Sequence, residues 1–592
     1  MLSFLEPGGT PTAVELYGAA VLHAIAREEH AGRDLTVYGW VNNMRELGGL
    51  TFIDLRDREG LLQIVVNETF ADPGLLKRIG KETVLAVSGR VVKRARPNPD
   101  LPSGQVELIA TAIDILAASA VPPFVPENRA NVSEELRFKH RYIDLRNQAM
   151  QRNFKLRSKV NLLARNFLDR EGFLDIETPI LSNATPEGAR DYLVPSRIYK
   201  GRFFALPQSP QQFKQLLMVS GFERYFQITR CFRDEDLRAD RQLEFTQIDI
   251  EMSFAEPDEL FAIIERLMQA VFALSGHDIA LPFRRLPYQE AMEKYGSDKP
   301  DLRIPFTIED FTSEAGAWGS DLLNGALARG AKVKGLAVPE AGAFSRKQLD
   351  ELNETAKKLG GKGVIWMKKS EDGFKSSLKV AAADIVALFE KRKIDPGALL
   401  LLVADAEMPA LTLAGRLREH LGKKFQDKDR LEFLWVTDFP LFFYNEEEKR
   451  LDSNHHPFTA PRPGDTALLD SEPLAVKAIA YDLVLNGIEL GGGSRRIHDI
   501  ALQKKVFRML GLEEREIEAR FGFFLNALSF GAPPHLGIAL GFDRLLMLLT
   551  GEESIREVIA FPKTTSSLCL LTGSPSAVSQ RQLDELGIAI KN

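Results

Sequence analysis

Only Cys231 and Cys569 are present in 592 residues, far apart and without partner spacing. That excludes a disulfide framework and a cysteine zinc site, and it fits a reducing cytoplasm. No apolar run approaches the ~18 residues of a membrane span. Nothing at the start reads as a signal peptide, and the acidic residues among the first 34 argue against an organelle transit peptide. Charge of one sign is also scarce. Lys and Arg total 76 against 82 Asp and Glu, a net −6, so any nucleic-acid contact must come from local basic and aromatic surfaces. No internal repeat or low-complexity tract is evident. The chain is too long for one hydrophobic core, and roughly three to five domains are expected.

What is present first is a run of five short strands: Leu35 to Asn42, Leu50 to Arg56, Leu61 to Asn67, Thr83 to Lys93 and Gln105 to Leu116. Gly48-Gly49, Asp57 to Gly60 and Pro97 to Gly104 punctuate them as turns. Glu68 to Glu82 is expected to be helical. Five strands in ~80 residues suit a small closed barrel of the oligonucleotide-binding kind, and the pattern alone also allows a barrel that binds nothing. Val121-Pro122-Pro123-Phe124-Val125-Pro126 then reads as a semi-rigid spacer. From Met150 the period becomes helical, through Phe154, Val160, Leu163, Phe167 and Leu168, ending at Arg170-Glu171-Gly172. A strand to Pro179 is expected next. Between about Arg303 and Gly422, Lys- and Glu-rich helical stretches alternate with short apolar strands such as Gly363 to Trp366 and Leu399 to Val403, the texture of an inserted α+β domain. The expected divisions are 1–118, extension and barrel; 119–140, linker; 141–302, first catalytic part; 303–422, insertion; 423–565, second catalytic part; and 566–592, C-terminal extension.

Three segments carry chemistry. In the first, two alternating strands flank the charged loop from Arg233 through Asp234, Glu235, Arg241 and Gln242. Alternation sets Phe245, Gln247, Asp249 and Glu251 on one face, with Thr246, Ile248, Ile250 and Met252 on the other. The polar face suits a ligand bearing a ring and an ammonium group, and guanidiniums match phosphate oxygens in a bidentate way. A solvated charged hairpin explains the loop but not Phe245 beside Asp249. In the second, Asn486-Gly487 is a hairpin signal. Folding about it sets Val484 opposite Glu489 and Asp482 opposite Gly491, which makes Asp482 and Glu489 diagonal neighbours able to share Mg²⁺, where an isolated acidic pair would be merely solvated. The third, Gly541-Phe542-Asp543-Arg544, turns a strand into a helix whose N-terminus favours anions; alone it is weak.

In this order the segments resemble the signature motifs of class II aminoacyl-tRNA synthetases. Phe173 to Pro179 resembles motif one, the dimer-interface element, Phe232 to Glu235 motif two, and Gly541 to Arg544 motif three. Ala184-Thr-Pro-Glu187, Gln208-Ser-Pro-Gln211-Gln-Phe-Lys214 and His455-His456-Pro-Phe-Thr resemble bacterial-type aspartyl-tRNA synthetases. The resemblance covers nearly the whole chain. It implies a multidomain fold: an N-terminal OB-fold barrel, an α+β catalytic domain on an antiparallel sheet and an inserted α+β domain. It also implies a cytoplasmic homodimer using ATP, Mg²⁺, L-aspartate and tRNA-Asp.

Carried over by position, Arg233 would hold the α-phosphate and the substrate α-carboxylate, with Glu235 near adenine. Phe245 would stack on adenine, with Arg544 on its other face and towards the γ-phosphate. Asp234, Arg241, Gln242, Glu489, Gly541, Phe542 and Asp543 complete the ATP set, and Asp482 with Glu489 would hold the metal. Asp249 would take the amino group; Lys214 and Arg496 would grip the aspartate side chain, with Glu187, Gln211 and His455 around it. Strict alternation from Glu489 favours Arg495 on the site face, whereas the family position is Arg496; a bulge in the glycine run would restore that parity. In the barrel, Phe52 and Gln63 would meet anticodon bases, with Arg45 and Leu47 on the loop after the first strand. Leu47 resembles the residue of relatives that charge tRNA-Asp alone, where those also charging tRNA-Asn often carry histidine. Two departures stand out: Asn43-Met44-Arg45 keeps one of three usual arginines, and Ser182-Asn183 replaces Thr-Lys. The rivals are an asparagine-specific relative, against which Lys214 and Arg496 argue, and an RNA-binding regulator on an inactive scaffold.

Overall fold

The computed structural model describes residues 26–591 apart from 69, 71, 185–187, 372 and 428. The chain divides into two compact units. Of the described residues, one unit comprises those from 26 to 158 with 237–239 and 554–577, and the other those remaining.

In the first unit, strands Asp34–Leu47, Leu50–Arg56, Leu61–Val66, Val84–Lys93 and Val106–Ala117 close into a barrel. Inward residues alternate as period two demands: Val37, Val41, Ile53, Leu55, Ile64, Leu85 and Val87 are buried in one core. The first strand outruns its expected end because Met44, Arg45 and Glu46 pair with Ile53, Phe52 and Thr51 after an irregularity between Val41 and Asn43. Among the described residues of Glu68 to Glu82, the expected helix is largely not there. A single turn, Pro73–Leu76, forms where the Asp72 side chain accepts from the Leu75 amide at 3.1 Å. Gly74 and Gly80 weaken the rest, and Glu82, at φ +65°, leaves the helical region to bond Arg56 at 2.6 and 2.8 Å. The same unit contains a charged cluster in which Arg129 and Arg137 bond the Glu557 carboxylate at 2.6 and 3.1 Å.

The second unit is organised by an eight-stranded sheet in the order Arg284–Pro287, Phe433–Thr437, Ala480–Leu485, Ile488–Arg495, His535–Gly541, Glu244–Ser253, Arg224–Phe232, Leu174–Asp175. The outermost pair at each edge is parallel and the interior pairs are antiparallel. The strand expected to run to Pro179 shrinks to Leu174–Asp175 at that edge. The helix Pro257–Ala273 buries Leu260, Ile264, Leu267 and Met268, and its Phe261 ring stacks on Trp435 at 4.1 Å between centroids. A second sheet, also antiparallel, runs Ile308–Asp310, Lys332–Val338, Leu399–Asp405, Ile365–Ser370, Gly373–Ser376. Along Leu399–Asp405, Leu399, Leu401 and Val403 enter one core cluster while Leu400 and Leu402 enter another, so both faces are covered and the run is apolar from Leu399 to Ala404.

Candidate active site

Asp249 and Glu251 lie two residues apart on Glu244–Ser253 and point to one face, both fully buried. Lys214 reaches them from the helix Gln211–Val219, with Nζ 2.7 Å from Asp249 Oδ1 and 3.3 Å from Glu251 Oε2. Arg496 meets Glu251 as a fork, Nε to Oε1 at 2.9 Å and Nη2 to Oε2 at 3.0 Å. Its Nη1 contacts His456 Nε2 at 2.6 Å and donates to Ser494 Oγ at 2.7 Å. Opposite Glu251 stands Gly537, where a Cβ would run into the carboxylate. Two cations and two anions thus balance in a buried cluster.

The two carboxylates titrate differently. Burial raises the Asp249 pKa, and the Lys214 charge only partly counters it. At Glu251 burial also works upward, but the Arg496 and Lys214 charges outweigh it and lower the pKa. Asp249 Oδ2 has no hydrogen-bond partner, nor has the buried Gln211 Nε2. An acceptor and a donor are therefore free for a polar ligand. Burial, Arg496 and His455 push His456 well below the usual imidazole range, so it is neutral against the arginine.

The hairpin corrects one expected pairing. Val484 faces Glu489 as anticipated, but Asp482 faces Gly492 rather than Gly491, because Leu490 is an extra residue in the strand. That bulge shifts parity so that Gly492, Ser494 and Arg496 share the face of Asp482 and Glu489, while Arg495 turns away to Glu256. At Gly492 a Cβ would collide with Asp482 Oδ1. Burial, then the Asp482 charge, raise the Glu489 pKa. His455 Nε2 lies 3.2 Å from Asp482 Oδ1; burial works against its imidazolium, but Asp482 and Glu489 outweigh it and the pKa rises. Among the described residues, no group of three or more His, Cys, Asp or Glu forms a metal-ligand set. Two neighbouring carboxylates, with the Asp482 charge raising the Glu489 pKa, nonetheless suit a hard divalent ion, which they would hold through oxygen.

Beside this lies the phosphate-type face. Arg233 sits over the Phe245 ring, 5.1 Å from its centroid, and its Nε has no partner. Asp234 is tied through its amide to the Arg190 carbonyl at 3.1 Å, and Gln242 is buried. Glu235 pairs with Arg241 at 3.0 Å. Gly541 precedes the helix Phe542–Thr550, Phe542 is buried, and Asp543 Oδ2 accepts from the Thr246 amide at 2.7 Å. Arg544, in the first turn, donates Nη1 to the Glu489 carbonyl at 2.8 Å and pairs Nη2 with Asp240 at 3.1 Å. Glu187 lies outside the described residues.

On the barrel, Arg45 lies over Phe52 at 5.4 Å and bonds Asp54 and Gln63 at 2.8 and 2.9 Å. Gln63 also accepts from Arg94 at 2.8 Å and donates to Glu107 at 2.7 Å. Leu47 is 70% exposed at the hairpin end. Sequence reasoning assigned no role to Arg94, Glu107, Asp240, Glu251, His456 or Ser494. Only Glu251, by alternation from Asp249, and His456, by adjacency to His455, had a visible signal.

A barrel of this order joined in sequence to an antiparallel sheet with a cation-lined pocket defines a class, and comparison with known proteins agrees. The chain belongs to the class II tRNA synthetases, the family described as "tRNA synthetases class II (D, K and N)", which matches residues 133–565. An "OB-fold nucleic acid binding domain" matches residues 35–116. The chain is 51% identical to the "Aspartate--tRNA(Asp/Asn) ligase" of Caldanaerobacter subterraneus subsp. tengcongensis, over 94% of this chain and 96% of that one. It is 47% identical to the "Aspartate--tRNA ligase" of Clostridium acetobutylicum, over 96% of each. Two solved structures share the fold at 19% identity. They are asparaginyl-tRNA synthetase from Pyrococcus horikoshii with asparaginyl-adenylate, TM-score 0.58 over 92% of this chain and 98% of that one, and aspartyl-tRNA synthetase from Entamoeba histolytica, 0.56 over 94% of each.

Proposed function

We propose that this chain attaches L-aspartate to tRNA-Asp through an aspartyl-adenylate, at the expense of ATP. The observation that carries this reading is the pair of buried cations, Lys214 bonded to Asp249 and Arg496 bonded to Glu251, with Asp249 Oδ2 free. Two cations suit a side-chain carboxylate, and a free carboxylate oxygen suits an ammonium. Neutral asparagine would forfeit the charge-assisted bonds.

In the first step the aspartate α-carboxylate attacks the α-phosphate; the bond to the β-phosphate breaks and pyrophosphate leaves. Arg233 neutralises charge at the α-phosphate, Phe245 stacks on adenine, and Arg544 holds the γ-phosphate end. In the second, the 3′-terminal ribose hydroxyl attacks the acyl carbonyl, loses its proton, and AMP leaves. No side chain forms a covalent bond, so positioning and charge stabilisation carry the rate. Asp482 and Glu489 would hold Mg²⁺, which when bound neutralises phosphate charge. Cytoplasmic homodimer formation completes the reading. Leu162, Leu174, Ile180 and Leu181 are half or more exposed beside the short edge strand, and no described helix is long and apolar enough to cross a membrane. Light scattering at micromolar concentration tests the dimer, and a monomeric mass refutes it.

The deciding experiment is pyrophosphate exchange with aspartate, asparagine or no amino acid. Exchange with aspartate alone supports the proposal, and preference for asparagine or no exchange overturns it. For the tRNA, exposed Leu47 supports a discriminating enzyme; relatives at 48–51% identity are named for Asp/Asn and others at 47–49% for aspartate alone, so the names favour neither reading. Aspartylation of both transcripts at one salt concentration separates the two. A preference near a hundredfold, about 2.7 kcal/mol, supports discrimination, and comparable kcat/KM overturns it.

A further inference from the structure

The loop between Arg233 and Leu243 pairs its own charges. Glu235 meets Arg241 at 3.0 Å, and Asp240 meets Arg544 Nη2 at 3.1 Å. Arg544 is otherwise anchored: its Nη1 donates to the Glu489 carbonyl at 2.8 Å, which fixes the guanidinium plane at the start of its helix. Asp240 therefore presents an anionic oxygen to the guanidinium edge that the reading above gives to the γ-phosphate. A carboxylate and a phosphate oxygen make the same kind of bond to a guanidinium, so one N–H edge cannot serve both fully. Asp240 is 37% exposed and Arg544 24%, so the pair is wet enough to exchange and weak enough to be displaced.

We propose that Asp240 is a positioning residue for ATP: its carboxylate stands in for the terminal phosphate, keeps Arg544 oriented, and is displaced when a triphosphate arrives. The inference rests on the ATP reading of this face. Competition from an internal anion raises the ATP requirement, and keeps Arg544 from being captured by smaller anions that cannot displace Asp240. Asp240 touches no reacting atom; it acts through Arg544.

Asp240→Asn keeps the shape and removes the charge. The KM for ATP in aspartate-dependent pyrophosphate exchange is expected to fall roughly three- to fivefold at low salt, as befits a part-exposed ion pair. The KM for aspartate and the melting temperature should stay put, Asp240→Glu should behave as wild type, and the gain should fade at high salt as screening weakens the native competitor. Binding of α,β-methylene-ATP measured by calorimetry supplies a second readout. Asp240→Asn should tighten it in the wild-type background and not in an Arg544→Ala background, a coupling that a merely structural role would not produce. An ATP KM equal to or above wild type, or equal gains in both backgrounds, overturns the proposal. If wild-type enzyme neither exchanges pyrophosphate nor binds the analogue, the ATP reading itself has failed; if it does both and Asp240→Asn changes nothing, only the role of Asp240 has.

Discussion

Replacing Lys214 by methionine keeps length and burial but deletes the charge between two buried carboxylates. At an effective dielectric of about 20, one charge at 2.7 Å and another at 3.3 Å attract it by about 6 and about 5 kcal/mol before desolvation is counted. Most of that is offset by the cost of burying the ions, and removing one partner from such a cluster typically costs about 3–5 kcal/mol. Here Asp249 softens the loss. Burial already raises its pKa against the pull of Lys214, so loss of that charge raises it further and lowers the cost of leaving the carboxylate without its partner. The folded variant then lacks one of two cations for a side-chain carboxylate. Loss of one charge-assisted bond, about 2–4 kcal/mol, raises the aspartate KM by about 30- to 900-fold while leaving that for ATP within about threefold. Pyrophosphate exchange measures both constants, a thermal melt establishes that the variant is folded, and Lys214→Arg provides a charge-retaining control. A folded Lys214→Met enzyme with the wild-type aspartate KM would falsify the pocket assignment.

Arg544→Ala is expected to slow adenylate formation at least about 100-fold with tRNA binding unchanged in a filter assay, as for loss of one preorganised donor; wild-type exchange would remove Arg544 from the γ-phosphate. Gly492→Ala places a methyl against Asp482 Oδ1, at a cost of about 1–3 kcal/mol of stability and most of the exchange activity. A fully active, equally stable variant would show that the close approach is dispensable. Glu557 is opposed by burial, but the Arg129 and Arg137 charges outweigh it and hold its pKa below the ordinary 4.5. Its stabilisation is thus complete above that value and lost as pH falls through the depressed one. The melting temperature should drop through that acid range in wild type and less steeply in Glu557→Gln; parallel curves would refute the linkage.

Much of this was legible before the fold was known. The barrel strands follow from alternation and turn residues, and the shared face of Asp249 and Glu251 follows from period two alone. The charge partners of that face were harder. Arg496 reaches it only because Leu490 is an extra residue, and a bulge has no reliable signature in a run of glycines. The failed helix over Glu68 to Glu82 has a local cause in Gly74 and Gly80 and a distant one: Glu82 is claimed by Arg56, a contact between positions 26 residues apart. Asp240 was invisible because loop carboxylates have no period, and Glu107 because a polar residue at an outward strand position is ordinary until Gln63 is seen beside it.

The bulge at Leu490 gives that strand a count as well as a composition. Every residue after it stands on the side it does because one position was skipped, so removal of a single glycine from the run would turn Arg496 to the back of the sheet and bring Arg495 to the front. The chemistry would look conserved letter for letter, since one arginine replaces another, yet Glu251 would lose its fork and Glu256 its partner. A substitution here acts at one side chain, but a change of length does not: an insertion or deletion between Ile488 and Arg496 acts on every later side chain in the strand at once, and only a compensating one nearby could undo it.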